Sequence, residues 1–302
     1  MPNRAGVVPF RWDVRRREQL GRLLDAPEAP VPYWYPNRPP WDETLTEIRS
    51  CSARVVARAG DARLVFIGRS PENLFDYLTG ALADTAWADR CDLLNLSMPG
   101  TVHPGGDLPR AAVDAFRAQL RALELTPAQI AAAPRPVALV DLVSRGGTFG
   151  SLADSLAAWA REERVDVNAV RRRLRFVGLT ARTHNSPNTW RWFQRVPWAA
   201  DFPRGALRGV SIPGWFWGHL GVYGEKMMPS NDFTRWGTED LMRPVHDPET
   251  IGALRMALRI HEQARTRDER ARFAAELAAR DEMREPWLRS LVVGIRRSAG
   301  VR

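Results

Sequence analysis

From Asp61 onward the chain alternates short, almost wholly apolar runs with longer amphipathic segments, and this alternation restricts the fold more than any other feature of the 302 residues. A strand covered on both faces reads as a continuous apolar run, and helices placed between successive strands force those strands to run parallel. The first unit is the strand Arg63–Ile67, the turn Gly68-Arg69-Ser70-Pro71 and a helix from Glu72 to about Ala83. Ser70 is the expected N-cap, and Pro71 suits the first turn, where its missing N–H is not needed. A second strand, Asp92–Ser97, leads into MPGTVHPGGDLP, whose glycines and prolines forbid regular structure from Met98 to about Pro109. Helical patterns cover 110–122 and 127–133. A third strand, Pro136–Asp141, a loop to Gly147, a helix from about Thr148 to Glu163 and a strand at Leu174–Leu179 complete the pattern. The expected class is α/β with a Rossmann-like parallel sheet.

The flanks obey a different grammar. Residues 1–60 read as an arm: an Arg-rich helical pattern from Trp12 to Leu24, then a proline-dense stretch, Pro27 to Pro40, containing PYWYPNRPPW. Each proline there removes a donor and restricts its predecessor, so regular helix and central strand are excluded. Residues 182–246 hold six of the twelve tryptophans and read as an aromatic-rich hood together with the rest of the sheet. Tryptophans of this kind suit either core and interface anchors or a stacking platform. A helical region, 247–302, begins at Asp247-Pro248. The α/β core is thereby confined to residues 61–181.

Composition excludes several functions. With 44% hydrophobic and 26% charged residues the chain is of ordinary globular make-up, neither collagenous nor disordered. Cys51 and Cys91 are forty residues apart without a CxxC, so no thiol redox centre or zinc cage is read, and a reducing cytoplasm is the expected location. No apolar run reaches membrane-spanning length and the N-terminal residues lack a signal-peptide pattern, so no membrane partner is expected. The formal charge of +9 invites a nucleic-acid reading, for which affinity would fall steeply with salt. However, Lys226 is the only lysine among 44 basic residues, in a chain also rich in alanine and proline, which points to a GC-rich coding sequence. The arginines are spread along the chain rather than clustered, and nucleic acid is not an expected partner. Lys226 reads as a solvated surface lysine. His219, His246 and His261 are not at metal-ligand spacing, and no GxSxG elbow is present.

The chemistry-bearing stretch is VALVDLVSRGGTFGSL, residues 137–152. An apolar strand ending in an acid, then Ser144-Arg145-Gly146-Gly147-Thr148 and a helix, is how a backbone cradles phosphate. Glycines allow close approach, hydroxyls and N–H groups point at the anion, and the helix N-terminus adds partial positive charge. The stretch is neither a Walker A loop nor a GxGxxG fingerprint.

It resembles the 5-phosphoribosyl-1-pyrophosphate (PRPP) signature of type I phosphoribosyltransferases: an apolar strand, two acids, two apolar residues, and a loop of small and hydroxyl residues. Asp141 falls on the second acid, Leu142-Val143 on the apolar pair, and Ser144 to Thr148 on the 5′-phosphate loop; Val140 stands where the family has its first acid, which helps hold the ribose. The likeness extends over residues 60–180 in the family's order. Gly68, Arg69 and Ser70 correspond to the pyrophosphate loop, and residues 98–109, with His103, to the flexible loop that closes over the reacting centre. His184, just past a strand end, is a further candidate for the acceptor side. The resemblance implies a Rossmann-like sheet of the phosphoribosyltransferase kind and transfer of phosphoribose from PRPP, carried with Mg²⁺, to a nitrogenous, aromatic acceptor with release of pyrophosphate. Asp141 would be the catalytic acid at the ribose. The same fold can instead bind PRPP or a nucleotide as a regulatory ligand, a reading favoured by Val140. The expected partners are PRPP and the acceptor, with a homodimer left open.

Overall fold

The computed structural model describes residues 8–25, 39–98, 109–182 and 192–300. After a short helix α1 (Arg17–Leu20) and a long α2 (Trp41–Ala59), the chain runs β1 (Arg63–Ile67), α3 (Glu72–Ala81), β2 (Cys91–Leu94), α4 (Arg110–Ala122) and α5 (Pro127–Ala132). It continues through β3 (Val137–Leu142), α6 (Gly147–Glu162), α7 (Val167–Arg173), β4 (Leu174–Ala181) and β5 (Leu207–Ile212). Helices α8 (Gly214–Gly218), α9 (Pro248–Arg265), α10 (Arg267–Ala278) and α11 (Pro286–Ser298) follow. The five strands form one parallel sheet in the order β2-β1-β3-β4-β5. The expected α/β class with a Rossmann-like parallel sheet is what the chain adopts.

Strand alternation divides the core in two. Leu64 and Phe66 of β1, Ala138 and Val140 of β3, and Val177 and Leu179 of β4 face a layer made by α2, α3, α9, α10 and α11. Their neighbours Val65, Ile67, Val137, Leu139, Leu174 and Phe176 face α4, α5, α6 and α7. Burial on both faces explains why these strands are apolar throughout, with no polar alternation to mark a solvent side.

Several elements differ from the sequence expectation for identifiable reasons. Residues 41–59, read within the N-terminal arm, form α2, whose Ile48, Cys51, Val55 and Val56 are fully buried against the sheet layer. The helix expected from Trp12 to Leu24 is reduced to α1 and a 3₁₀ turn at Gly21–Asp25, the break falling at Gly21 with φ +38°. Strand β2 stops at Leu94 because Ser97 turns its N–H to the Asn231 carbonyl, 2.9 Å away, and not to the sheet. Helix α3 has Pro71 at its N-cap with no side-chain capping bond, so Ser70 is not the cap. Strand β5 lies inside the Trp-rich segment and extends the sheet beside β4. Asp247 caps α9 as the Asp-Pro pair implies, accepting from the Thr250 N–H at 2.8 Å.

Both cysteines are free and buried, and burial pushes the Cys51 thiol up to about 12. Among the described residues no helix is long and apolar enough to cross a membrane.

Candidate functional site

The strand order reverses between β1 and β3, and where their carboxyl ends diverge the loops leave a cavity of about 320 Å³. Open α/β sheets bind ligands at such switch points because the two adjacent crossovers leave on opposite faces. The cavity brings together Gly68, Arg69 and Ser70 after β1, Asp141 at the end of β3, and Ser144 and Thr148 at the start of α6. Two stretches picked out separately in the sequence therefore line one space.

Each arrives there for a local reason. Gly68 adopts φ +71°, and a Cβ on it would stand 3.2 Å from the Leu96 carbonyl oxygen, so the turn hugs the end of β2 only as glycine. Its N–H donates to Leu94 O at 2.8 Å. Arg69 donates through Nη1 to the Met228 carbonyl at 3.4 Å. Gly146 is the N-cap of α6 in the left-handed region, φ +77°, with the Trp192 ring 3.0 Å from where a Cβ would sit. This reversal aims the first turn of a sixteen-residue helix at the cavity. Arg145 is exposed, and Arg145, Gly146 and Gly147 are not among the lining residues. Within the 144–148 loop the hydroxyl residues face the cavity and the glycines shape the turn.

Asp141 is nearly buried and accepts the N–H of its neighbour Leu142 at 2.7 Å. Burial is the dominant influence and pushes its carboxyl up to about 8, the Leu142 N–H opposing only in part. The carboxyl is thus protonated at neutral pH, and positive charge beside it would favour ionisation. Val140, at the position of the family's first acid, is fully buried on the opposite face of β3. The cavity lining therefore includes one acid, Asp141.

The remaining lining includes residues not expected at the site from the sequence: Asn95, Ser97, Trp217, Lys226, Ser230 and Asn231. Lys226 is not a solvated surface lysine. Its ammonium donates to the Leu220 carbonyl at 2.6 Å, and burial lowers its pKa to about 8, with Glu72 raising it and Arg69 lowering it. Glu72, the first residue of α3, accepts the Met227 N–H at 3.1 Å, and burial pushes it up to about 6 against the pull of Arg11 and Lys226. Arg11 in turn grips Asp76 of α3 with two 2.7 Å bonds. The segment carrying Lys226 is thereby tied to α3 and, through α3, to residues near the N-terminus. The one signal for Lys226 in the sequence was its being the sole lysine.

Other expectations resolve as packing. Trp192 and Trp198 lie in the core beneath α6, tilted against each other at 5.9 Å, and Trp236 stacks on Phe116 at 5.3 Å. Trp217 alone among the described tryptophans lines this cavity. His261 pairs with Thr79 at 3.1 Å between α9 and α3, and His246 packs edge-on to Trp12. His103, His184 and Trp190 fall outside the described residues, as does most of the 98–109 loop. No group of three or more His, Cys, Asp and Glu among the described residues could hold a metal ion.

Compared with known proteins, the chain matches no family model, no curated protein and no solved structure.

Proposed function

We propose that this chain transfers phosphoribose from PRPP to a nitrogenous, aromatic acceptor, with release of pyrophosphate. The observation that carries the reading is the convergence of Gly68-Arg69-Ser70 and Ser144/Thr148 on either side of Asp141 in one switch-point cavity. In this assignment Ser144, Thr148 and the amino end of α6 hold the 5′-phosphate, where hydroxyls and helix dipole meet negative charge. Asp141 faces the ribose. Arg69 and Lys226 neutralise the pyrophosphate as the bond between it and the anomeric carbon breaks, the acceptor nitrogen bonds to that carbon and the acceptor's proton passes to the departing pyrophosphate. In its ionised form Asp141 would stabilise the positive charge that develops on the ribose. Trp217, which lines the cavity, is the hood element for a flat acceptor.

Mg²⁺, which accompanies PRPP, supplies charge neutralisation on the pyrophosphate when bound. The unpartnered amide oxygens of Asn95 and Asn231 are sealed from the cavity and no group of three or more His, Cys, Asp and Glu among the described residues could hold the ion, so the ion would be held by the pyrophosphate and not by these residues.

A second reading, a non-catalytic PRPP or nucleotide sensor, is favoured by Val140, whose apolar burial removes one of the family's ribose acids. Calorimetric titration of PRPP with Mg²⁺ into the wild-type protein and Asp141→Asn tests the shared site. Binding that weakens roughly tenfold to hundredfold in the variant is the expected result. A folded wild-type protein that binds no PRPP ends both readings, and pyrophosphate release with a panel of bases separates enzyme from sensor.

A further inference from the structure

Arginines dispersed along the chain are gathered by the fold at the amino ends of β4 and β5. Helix α7 ends in Arg171, Arg172 and Arg173, and β4 begins at once with Leu174 and Arg175. In the pairing of β4 with β5, Arg208 stands opposite Val177, so Arg208 and Arg175 share one face of the sheet. The turn before β5 completes the group. Gly205 adopts φ +89°, and a Cβ on it would stand 2.9 Å from Arg208 Nη2, so the glycine makes room for that guanidinium over the turn. The end of the same turn is fastened to β4, Phe176 N donating to Ala206 O at 2.8 Å. Arg204, within the turn, is exposed, as are Arg172 and Arg208.

Acids do not match these cations. Arg171 reaches Asp201 at 2.6 Å and Arg172 reaches Asp166 at 3.4 Å, whereas Arg173, Arg175, Arg204 and Arg208 form no ion pair among the described residues. Arg175 instead donates through Nη1 to the carbonyls of Arg172 and Leu174, at 3.0 and 2.8 Å, which fixes the side chain without neutralising it. Burial lowers its pKa, and the charges of Arg208 and Arg173 lower it further. Such repulsion is unfavourable in the free protein and is relieved when an anion arrives. Protection of a sheet edge accounts for Arg208 on terminal β5, but not for Arg175 on β4, which is paired on both sides. Guanidinium forks match phosphate oxygens two at a time. Three of these arginines are exposed, which suits a row of contacts along a polymer more than enclosure of one small ion. Phe202, beneath Arg171, is already packed against Phe176 and Trp198 and offers no free face for a base. We propose that this arginine group holds the phosphate backbone of a nucleic acid, without reading its bases. The cavity lies at the opposite, carboxyl ends of the strands, so the proposal does not depend on the transferase reading.

Fluorescence anisotropy of a labelled single-stranded RNA of about twenty nucleotides, titrated with the full chain between about 50 and about 200 mM salt, tests this. With about four phosphates neutralised, the logarithm of the affinity should fall against that of the salt concentration with a slope of about −3. Arg175→Gln/Arg208→Gln should lower the affinity roughly tenfold or more and make the slope shallower by about 1.4. The control is Arg296→Gln/Arg297→Gln. It removes the same charge from the end of α11, where Arg270 joins Ser298 to Gly80 of α3, the connection between β1 and β2, and should leave affinity within about twofold of the wild type. If loss of the half-buried Arg175 unfolds the chain, Arg204→Gln/Arg208→Gln, at two exposed positions, serves with the same expectation. A wild-type chain that binds no RNA at the lowest salt overturns the proposal. Equal losses in the β4–β5 and α11 variants overturn it as well, because they mark attraction to net charge alone. Polyglutamate that displaces the RNA as readily as unlabelled RNA does, at equal charge concentration, overturns it in favour of an acidic polypeptide.

Discussion

On the α6 side of the cleft, Asp141, Ser144 and Thr148 come from eight consecutive residues, whereas the rest of the lining draws Asn95, Trp217, Lys226 and Asn231 from places more than a hundred residues apart. The first side is a strand end, a left-handed glycine and a helix start, each dictated by its own few residues. The second exists only because β1 and β2 lie side by side and the 214–231 segment packs against them through bonds such as Ser97 N to Asn231 O and Met227 N to Glu72. A local cradle fails at a single residue. A wall assembled from distant contacts is held by several ties at once, and loss of one should change its tuning more than its existence.

The largest effect is expected at the hinge of the local side. Gly146→Val places a branched side chain at φ +77° and drives it into the Trp192 ring, which already stands 3.0 Å from the missing Cβ. Left-handed backbone and overpacking together should cost about 3 kcal/mol or more, and the first turn of α6 would be displaced. Thermal unfolding should show a clear loss of stability and PRPP titration no measurable binding. Wild-type-like binding in this variant would mean that the phosphate is held elsewhere.

Next comes Asp141→Asn, which separates stability from function on the same side. Because the folded-state pKa of Asp141 is raised to about 8 from 3.8, the folded protein keeps a proton that the unfolded chain releases. Stability is therefore highest below the unfolded value and declines as pH rises toward 8, levelling off above it. The amide removes that penalty. The ligand-free variant should melt a few degrees higher than the wild type at pH 8, with the difference vanishing near pH 4, while its PRPP affinity drops. Equal melting temperatures at pH 8 would show that Asp141 is solvated and not the buried acid described above.

The legibility of the two sides in the sequence follows from the same contrast. The parallel sheet, the Gly68-Arg69-Ser70 turn and the 137–152 cradle could be read because strand runs, glycine turns and helix starts are local patterns. Helix α2 is hard to read locally because its buried face carries Cys51, Ser52 and Ala53 beside Val55 and Val56, a mixed stripe next to a proline-dense segment that argues for an arm. Strand β5, LRGVSI, has two exposed positions and follows a Trp-rich stretch, so it lacks the continuous apolar signature of its neighbours. The asparagines had no signal at all. Nothing in Asn95 or Asn231 marks them until β2 and the 226–231 segment are brought together, and Lys226 looked like a surface charge because its burial depends on Glu72, Leu220 and Arg69, none of them a near neighbour in a recognisable motif.

A smaller effect is expected at Lys226, on the long-range side. Its pKa is lowered to about 8, so the ammonium is charged below that value and lost above it. Pyrophosphate affinity in the wild type should fall as pH rises through about 8, the inflection lying higher in the complex because a bound anion favours the charged form. Lys226→Met keeps the length and apolar bulk of the side chain while removing the charge. It should weaken pyrophosphate binding roughly tenfold at pH 7 and reduce the fall through pH 8 to the part contributed by Asp141, which ionises in the same range. A variant that keeps the wild-type pH profile would shift the cationic role wholly to Arg69.

The smallest effect isolates the tuning of that wall. Glu72→Gln preserves the shape of the side chain and the oxygen that accepts the Met227 N–H at 3.1 Å, so the segment stays docked on α3. What it removes is negative charge, and Glu72 is the group that raises the pKa of Lys226 against burial and Arg69. Two consequences oppose one another. Near pH 6.5 the ammonium is still charged and one repelling carboxylate is gone, so pyrophosphate affinity should hold or rise slightly, by less than about tenfold. At higher pH the ammonium deprotonates earlier than in the wild type, so the decline in affinity should begin at lower pH. Affinity measured from pH 6 to 9.5 in both proteins gives curves that cross if Glu72 tunes Lys226. Parallel curves would mean that the tie between α3 and the 226–231 segment is mechanical only, and that the distant wall is as simple in its chemistry as the local one.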